Sequence, residues 1–235
     1  MRRLAFLAAA FAACAWFCGP AYAQQAKVFT PGPFDSVNVS GSVRIELTQG
    51  DIDQVTVIGD HDAQRSVHLG VSGNELHVET QGGWKFWNRD PVEMKVQMHS
   101  IKSLNISGAS DIVATKPITA DSLDINISGK GEVRFGNLAA KQLDFEISGA
   151  GSGILGGKVD KLIVNVSGAG KIAADNLRAA QADINISGAG STDLWVTDEL
   201  SINVSGVGSV SYWGQPKVSR KVSALARMNA LGPKP

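Results

Sequence analysis

The amino-acid sequence predicts an all-β protein, a single-domain parallel β-helix or β-solenoid with coils of about 20 residues. The first observation is a motif, Ile-Asn-Ile-Ser-Gly-Ala-Gly at residues 184–190, that the chain repeats with small changes. The steps between copies are 18 to 21 residues, measured between their first glycines at Gly108, Gly129, Gly149, Gly168, Gly188 and Gly206. A fixed period of this length is typical of repeat architectures.

The second observation is a two-residue alternation of apolar and polar side chains within each copy. Leu123, Ile125 and Ile127 alternate with polar residues, and the other copies keep the same pattern. This period indicates a strand with one buried face. The Gly-x-Gly that follows predicts a corner, where a side chain would obstruct a sharp bend or a positive φ.

The third observation is that the connectors between copies are too short for ten-residue helices. A unit of about 20 residues fits two or three short strands that stack in parallel on the next coil, each coil advancing by roughly 4.8 Å. Like residues then lie above like residues, and the aliphatic columns form a core that one coil could not bury alone.

The chain divides into five segments on the same grounds. Residues 34–100 form a less regular set of strands that caps the solenoid, and Ser-Gly-Asn at 72–74 predicts an antiparallel hairpin there. The segments are 1–23, an export signal; 24–33, a lead-in; 34–100, N-terminal β strands or cap; 101–214, regular β-helix repeats; and 215–235, a degenerate capping coil and basic tail.

Residues 1–23 have the features of a cleaved export signal. Arg2 and Arg3 precede an apolar run, and Ala-Tyr-Ala at 21–23 fits a cleavage site. The run is short of a membrane span of about 20 residues, so no span is expected in the mature chain. Export to the bacterial periplasm or to the cell surface follows, and both remain open. Lipid attachment at Cys14 is a second interpretation.

Composition excludes several classes of site. Both cysteines, Cys14 and Cys18, lie in the signal, so the mature chain has no thiol for a disulfide or a metal. Without Arg2 and Arg3, 20 basic residues face 22 acidic ones, a formal net charge of −2. A nearly neutral chain argues against nucleic acid as a partner. No motif indicates a cofactor or a metal.

The repeats and two further stretches make the chain resemble a known family. Phe-Asp-Ser-Val-Asn-Val opens it at 34–39, and Ile-Glu-Leu-Thr-Gln-Gly follows at 45–50. Over about residues 30–225 it resembles the bacterial putative auto-transporter adhesin, head GIN domain family. The resemblance implies a β-helical fold and assigns no activity or catalytic residue.

The outward columns of the repeats have a structural and a ligand-binding interpretation. Stacked amides could bind a ligand, or hydrogen-bond along the column and stabilise the solenoid. Glu146 interrupts this column, whose asparagines are Asn105, Asn126, Asn165, Asn185 and Asn203. The corner glycines lack the helix and lysine of a phosphate loop, so a turn is the better interpretation.

Aromatic residues are the clearest candidates for ligand binding. Trp84, Phe86 and Trp87 lie in an irregular insertion, where exposed rings would stack on a sugar or dock a protein, or would fold over the solenoid as a lid. Trp195 and Trp213 are 18 residues apart and are expected on adjacent coils, where they bind a ligand or fill the core and cap it.

Catalysis has weaker support. Asp124, Asp144 and Asp183 share an outward column without a basic residue in register, so solvated surface charge explains them better than polysaccharide cleavage does. His68 and His77 could meet across a hairpin, but no third metal ligand is evident. The sequence therefore predicts an exported, non-catalytic, adhesin-like protein that binds a glycan or an envelope protein. The alternative is a polysaccharide-cleaving enzyme.

Overall fold

The computed structural model describes residues 25–80, 92–223 and 225–234. Over these residues the chain is nearly all strand and forms a β-solenoid of about six turns with a mixed, partly antiparallel N-terminal sheet, as the sequence predicted. The predicted export signal lies outside the described residues, as do Trp84, Phe86 and Trp87.

The strands fall into an N-terminal set and a stacked set. The first set is β1 (Gln25–Phe29), β2 (Ser36–Ser40), β3 (Val43–Gln49), β4 (Gln54–Gly59), β5 (Val67–Ser72), β6 (Glu75–Thr80) and β7 (Val92–Met98). The second set is β8 (Ser103–Ile106), β9 (Ala109–Ala114), β10 (Ile118–Ile127), β11 (Lys130–Ile147), β12 (Ala150–Val166), β13 (Ala169–Ile186), β14 (Ala189–Val204), β15 (Val207–Trp213), β16 (Lys217–Val222) and β17 (Ala226–Gly232).

Successive coils pair in parallel with like residues above like residues. Ile125 pairs with Phe145, Phe145 with Val164, and Val164 with Ile184. Each of these four side chains is at most 1% exposed. Since the alternation turns every second side chain inward, this register joins the aliphatic positions of all coils into one continuous core.

The N-terminal strands extend the two sides of the solenoid as separate arms. β2 stacks on β8 in parallel, Val37 beside Leu104, and β6 and β5 continue that arm. β3 stacks on β9, and β7, β4 and β1 continue the other arm. The pairs β5–β6, β4–β7 and β1–β4 are antiparallel. One short helix, α1 (His61–Ser66), follows β4 and was not predicted by the strand pattern.

The last described coil repeats the register with altered side chains. β16 stacks on β14 and places Val218 beside Leu200 and Val222 beside Val204. Arg220 is in register with the buried Ile202 and is itself exposed. A charge at this position of a last strand discourages further strand addition, because stacking another coil would bury it.

The corner glycines are required by close approach of the backbone. A Cβ on Gly168 would lie 2.0 Å from the carbonyl oxygen of Gly149, and the equivalent glycines of the other coils meet the same obstacle. That carbonyl also accepts a hydrogen bond of 2.9 Å from the Ala169 amide. None of the six repeat glycines has a positive φ, so of the two sequence explanations the lack of space is the one that applies.

Phe145 and Gly153 compensate for each other inside one coil. Phe145 is larger than its column neighbours Ile125 and Val164, whereas Gly153 stands between Val133 and Ile172 in another inward column. A Cβ on Gly153 would lie 2.8 Å from Cζ of Phe145. The aromatic ring therefore fills the volume that the glycine leaves.

We predict that Phe145→Ile and Gly153→Val are each destabilising and that the double variant is less destabilised than their sum. The first leaves a cavity and the second overpacks the core, each at a cost of about 1–3 kcal/mol. The double variant should recover at least about 1 kcal/mol of that total in urea unfolding. Phe145→Ile with Gly136→Val is the control, because Gly136 has open space beside it. Additive losses in both doubles would refute the compensation.

We predict that Gly168→Ala lowers the free energy of unfolding by about 3 kcal/mol or more, because its methyl group would collide with a backbone carbonyl. Gly136→Ala has the same chemistry at a strand position with nothing within 4 Å and should be neutral or slightly stabilising. Thermal unfolding of both variants measures the difference. Equal effects would contradict close approach as the reason for the repeat glycine.

Candidate binding site

Two tryptophans lie side by side on one corner of the solenoid. Trp195 in β14 pairs in register with Trp213, the last residue of β15. Gly232, at the end of β17, follows Trp213 in the same column. Both indoles are half-buried, because the outward position at a corner is open on one side. The interval of 18 residues predicted neighbouring coils, and the register places them there.

A lysine beyond β17 folds back onto both indole rings. Gly232 has a φ of +84°, a left-handed conformation that allows the chain to turn away from the strand direction. Lys234 Nζ then lies 5.6 Å from the ring centroid of Trp195 and 5.8 Å from that of Trp213. These distances are in the range of cation–π contacts.

Asp175 completes the surroundings of this ammonium group. Its carboxylate oxygen Oδ2 lies 3.5 Å from Lys234 Nζ, and its backbone carbonyl accepts a hydrogen bond from the same nitrogen. The side chain of Lys234 is only 19% exposed. We call Trp195, Trp213 and Asp175 the tryptophan clamp. Its indole faces and oxygen acceptors suit a group that is apolar on its flanks and cationic at its tip.

Two cationic residues continue the tryptophan column toward the middle of the solenoid. Arg178 pairs with Trp195 in register, and Lys158 pairs with Arg178. Both are exposed. The outward column therefore has two basic residues followed by two tryptophans, and the clamp lies at its tryptophan end.

The asparagine column makes hydrogen bonds along the stack. Asn126 Nδ2 donates to Asn105 Oδ1 at 3.3 Å, and Asn185 Nδ2 donates to Asn165 Oδ1 at 3.1 Å. Glu146 stands between Asn126 and Asn165 in the register. These amide bonds support the structural interpretation of the column, because four of its five asparagines bond to one another along the stack.

A shallow groove of about 700 Å³ runs along a second side of the stack. Alanines and glycines of successive coils form its floor, such as Ala150 with Gly151 and Ala169 with Gly170, and Glu132 lies on its margin. It is shallow because these positions carry short side chains. Asp111, Lys130 and Lys171 also line the groove, but no aromatic residue is among its lining residues.

Asp124 and Asp144 lie on adjacent coils, as the register predicted. Burial and the neighbouring Asp144 carboxyl raise the pKa of Asp124. Asp144 Oδ2 accepts a hydrogen bond of 2.8 Å from Gln142. Asp183, two coils further, lies 3.4 Å from Lys161, a diagonal partner that register alone did not reveal. Nothing in the described residues favours the polysaccharide-cleaving alternative over binding.

The histidine pair is offset across its hairpin. His68 lies opposite Glu79, whereas His77 lies opposite Gly70 and contacts Glu75 at 3.6 Å. Across residues 25–80, 92–223 and 225–234, no group of three or more His, Cys, Asp or Glu side chains is arranged to hold a metal ion. In the same part of the chain, no helix combines the length and the apolar character that crossing a bilayer requires.

The parallel coils, their in-register columns and the strand arms define a β-solenoid protein of the parallel β-helix class. The chain belongs to the family described as putative auto-transporter adhesin, head GIN domain, whose sequence pattern matches residues 33–216. The resemblance drawn from the repeats is thereby confirmed. No curated protein matches the chain.

Solved structures share this fold at low sequence identity. A putative adhesin from Bacteroides fragilis NCTC 9343 has a TM-score of 0.80 at 22% identity, over 91% of this chain and 97% of that chain. A putative adhesin from Parabacteroides distasonis ATCC 8503 has a TM-score of 0.69 at 20% identity, over 88% and 96%. A structure from that organism titled putative lipid binding protein has a TM-score of 0.68 at 21% identity, with the same coverages.

We predict that Asp124→Asn stabilises the protein at neutral pH by about 0.2–1 kcal/mol, because like charges directly opposite on neighbouring strands are unfavourable. An acid whose folded pKa is raised binds its proton more readily in the folded state, so its contribution to stability falls as pH rises through that pKa. The advantage of the variant should therefore shrink as pH falls below the folded pKa of Asp124.

Denaturant unfolding between pH 3 and pH 7 measures this effect relative to the unmodified protein. Asp183→Asn is the matched control from the same column, and it should not stabilise because it removes the partner of Lys161. Asp35 also contributes to the pH dependence, because its hydrogen bond to Lys102 lowers its pKa and the protein loses that stabilisation on acidification. Both proteins contain Asp35, so its contribution cancels in the comparison. A pH-independent difference would contradict the assignment.

Proposed function

We propose that this chain is an exported, non-catalytic, adhesin-like protein that binds a glycan or protein of the bacterial envelope at the tryptophan clamp. The family and the solved structures of putative adhesins support a binding role. Periplasm and cell surface both fit, since an export signal at residues 1–23 would not distinguish them.

The observation that carries this proposal is the cation seated on two indoles. Trp195 and Trp213 present half-buried faces on adjacent coils, and Lys234 already occupies them with its ammonium group. Tryptophans placed to fill a core would be enclosed, as Phe135 and Phe145 are, at 1% and 0% exposure. A half-open aromatic pair with a carboxylate beside it provides both stacking surface and directional contacts.

The segment at residues 81–91, which the sequence predicts to be a loop, is a second contact surface in this proposal. Trp84, Phe86 and Trp87 lie there with Lys85 and Arg89, and rings beside cations suit docking on a sugar or a protein. These residues lie outside the described part of the chain, so their role rests on sequence alone.

We predict that Trp195→Ala with Trp213→Ala reduces binding to bacterial envelope fractions or arrayed glycans at least tenfold, because the stacking surface is lost. Trp195→Phe with Trp213→Phe should retain most of the binding and is the matched control for folding. Trp84→Ala, Phe86→Ala and Trp87→Ala together test the loop separately. Binding by the purified proteins, measured with pull-down and glycan arrays, decides between the two surfaces.

Loss of binding in the alanine pair with retention in the phenylalanine pair supports the clamp. Undiminished binding in a folded alanine pair would remove the clamp from the proposal, and undiminished binding in the loop variant would remove the loop. Thermal unfolding of each variant shows whether a loss of binding reflects a loss of fold.

A further inference from the structure

The occupant of the tryptophan clamp shows which chemistry the clamp accepts. Lys234 Nζ contacts two indole faces, a carboxylate oxygen and a backbone carbonyl oxygen. All four contacting groups are electron-rich, and none of them donates a hydrogen bond to the lysine nitrogen. A primary ammonium satisfies them, because it carries a positive charge and three donors and accepts no hydrogen bond.

Within the clamp, one carboxylate pairs with one cation. Asp175 is the partner of Lys234, and the exposed Arg178 lies next to Trp195 in the tryptophan column. Exchanging Lys234 for another monovalent ammonium leaves the net charge of the site unchanged. An anionic group would instead meet the carboxylate of Asp175 and the negative faces of the rings.

The clamp also buries the stem of its occupant. The Lys234 side chain is 19% exposed although its residue lies two positions beyond the last strand, β17. A four-carbon stem alongside the rings contributes apolar contact in addition to the charge. This geometry favours a lysine side chain over a compact amine on a sugar ring.

The contacts that hold Lys234 are of a kind that another ligand can replace. They belong to one side chain, and the ion pair with Asp175, whose side chain is 39% exposed, and each cation–π contact are individually weak. β17 itself is mostly exposed, with the burial falling on alternate residues such as Met228. Displacing Lys234 therefore leaves the paired strands of the coil in place.

We infer that the tryptophan clamp is a lysine-binding site, which takes a lysine side chain of a protein partner, and that Lys234 is its intramolecular competitor. The inference rests on the proposed function and names its ligand. Because Lys234 is tethered beside the clamp, its effective concentration is high, and a partner must displace it. The unmodified protein thus binds a lone lysine weakly, and a partner with further contacts binds more tightly.

The test uses Nα-acetyl-lysine amide as the probe and its Nε-acetylated form as the control. Binding to the full chain is followed by tryptophan fluorescence, and the phenylalanine pair at 195 and 213 identifies the part of the signal that comes from the clamp. Lys234→Ala should raise the affinity for the probe about tenfold, because the competing side chain is gone. Lys234→Met, which keeps an apolar stem without the charge, should raise it by a smaller factor.

Two variants keep the result interpretable. Lys234→Arg retains a cation in the clamp and should leave the probe affinity close to that of the unmodified protein. Lys217→Ala removes an exposed lysine of the same basic segment and should change nothing. Absence of any response to the probe in Lys234→Ala, or an equal response to the Nε-acetylated compound, would overturn the inference. A response to glucosamine without one to the lysine probe would reassign the ligand to an amino sugar and overturn it too.

The two proposals can fail independently. If the alanine pair at 195 and 213 loses envelope binding while Lys234→Ala binds no lysine probe, the proposed function stands and the lysine assignment falls. If the lysine probe binds while envelope binding does not depend on the tryptophans, the clamp is a lysine site and its part in the proposed function falls.

Discussion

The architecture depends on the contact between successive corner glycines. A Cβ at any of the six repeat glycines would lie 1.9–2.1 Å from a backbone carbonyl oxygen of the preceding coil. The same carbonyl receives the next coil's amide, as in the bond from Ala189 to Gly168 at 2.9 Å. Because the coils meet this closely at one corner, each coil has a single register on its neighbour. The core columns, the outward ladders and the pairing of Trp195 with Trp213 all follow from it.

A fixed register brings together side chains whose size or charge conflicts, and neighbouring residues have to compensate for this. Like residues stack on like residues, so a large side chain in one column must be balanced within its own coil, as Phe145 is by Gly153. The same rule brings the carboxyls of Asp124 and Asp144 together. Amides tolerate this stacking because each can donate to the next, whereas carboxylates cannot.

The repeats made the solenoid and its columns predictable, because period and alternation are local signals. The short helix α1 escaped prediction, since six residues carry too little periodicity. The pairing of β4 with both β7 and β1 was also missed, as it joins segments without a shared motif. For the clamp, the spacing of Trp195 and Trp213 was visible in the sequence. Lys234 was not, because a turn at Gly232 places it there, and Asp175 lies 59 residues before it.

The two N-terminal arms have a consequence for the order in which the chain folds. In the regular coils, paired residues are about one repeat apart in the sequence. β2 and β8 are much further apart, because the other strands of both arms lie between them in the sequence, and yet Val37 pairs with Leu104. Closing a longer loop costs more chain entropy and slows formation of the contact. During folding the regular coils are therefore expected to form first and to serve as the template on which the N-terminal arms dock. A chain synthesised from its N-terminus would therefore hold its earliest part undocked until the later part had been made.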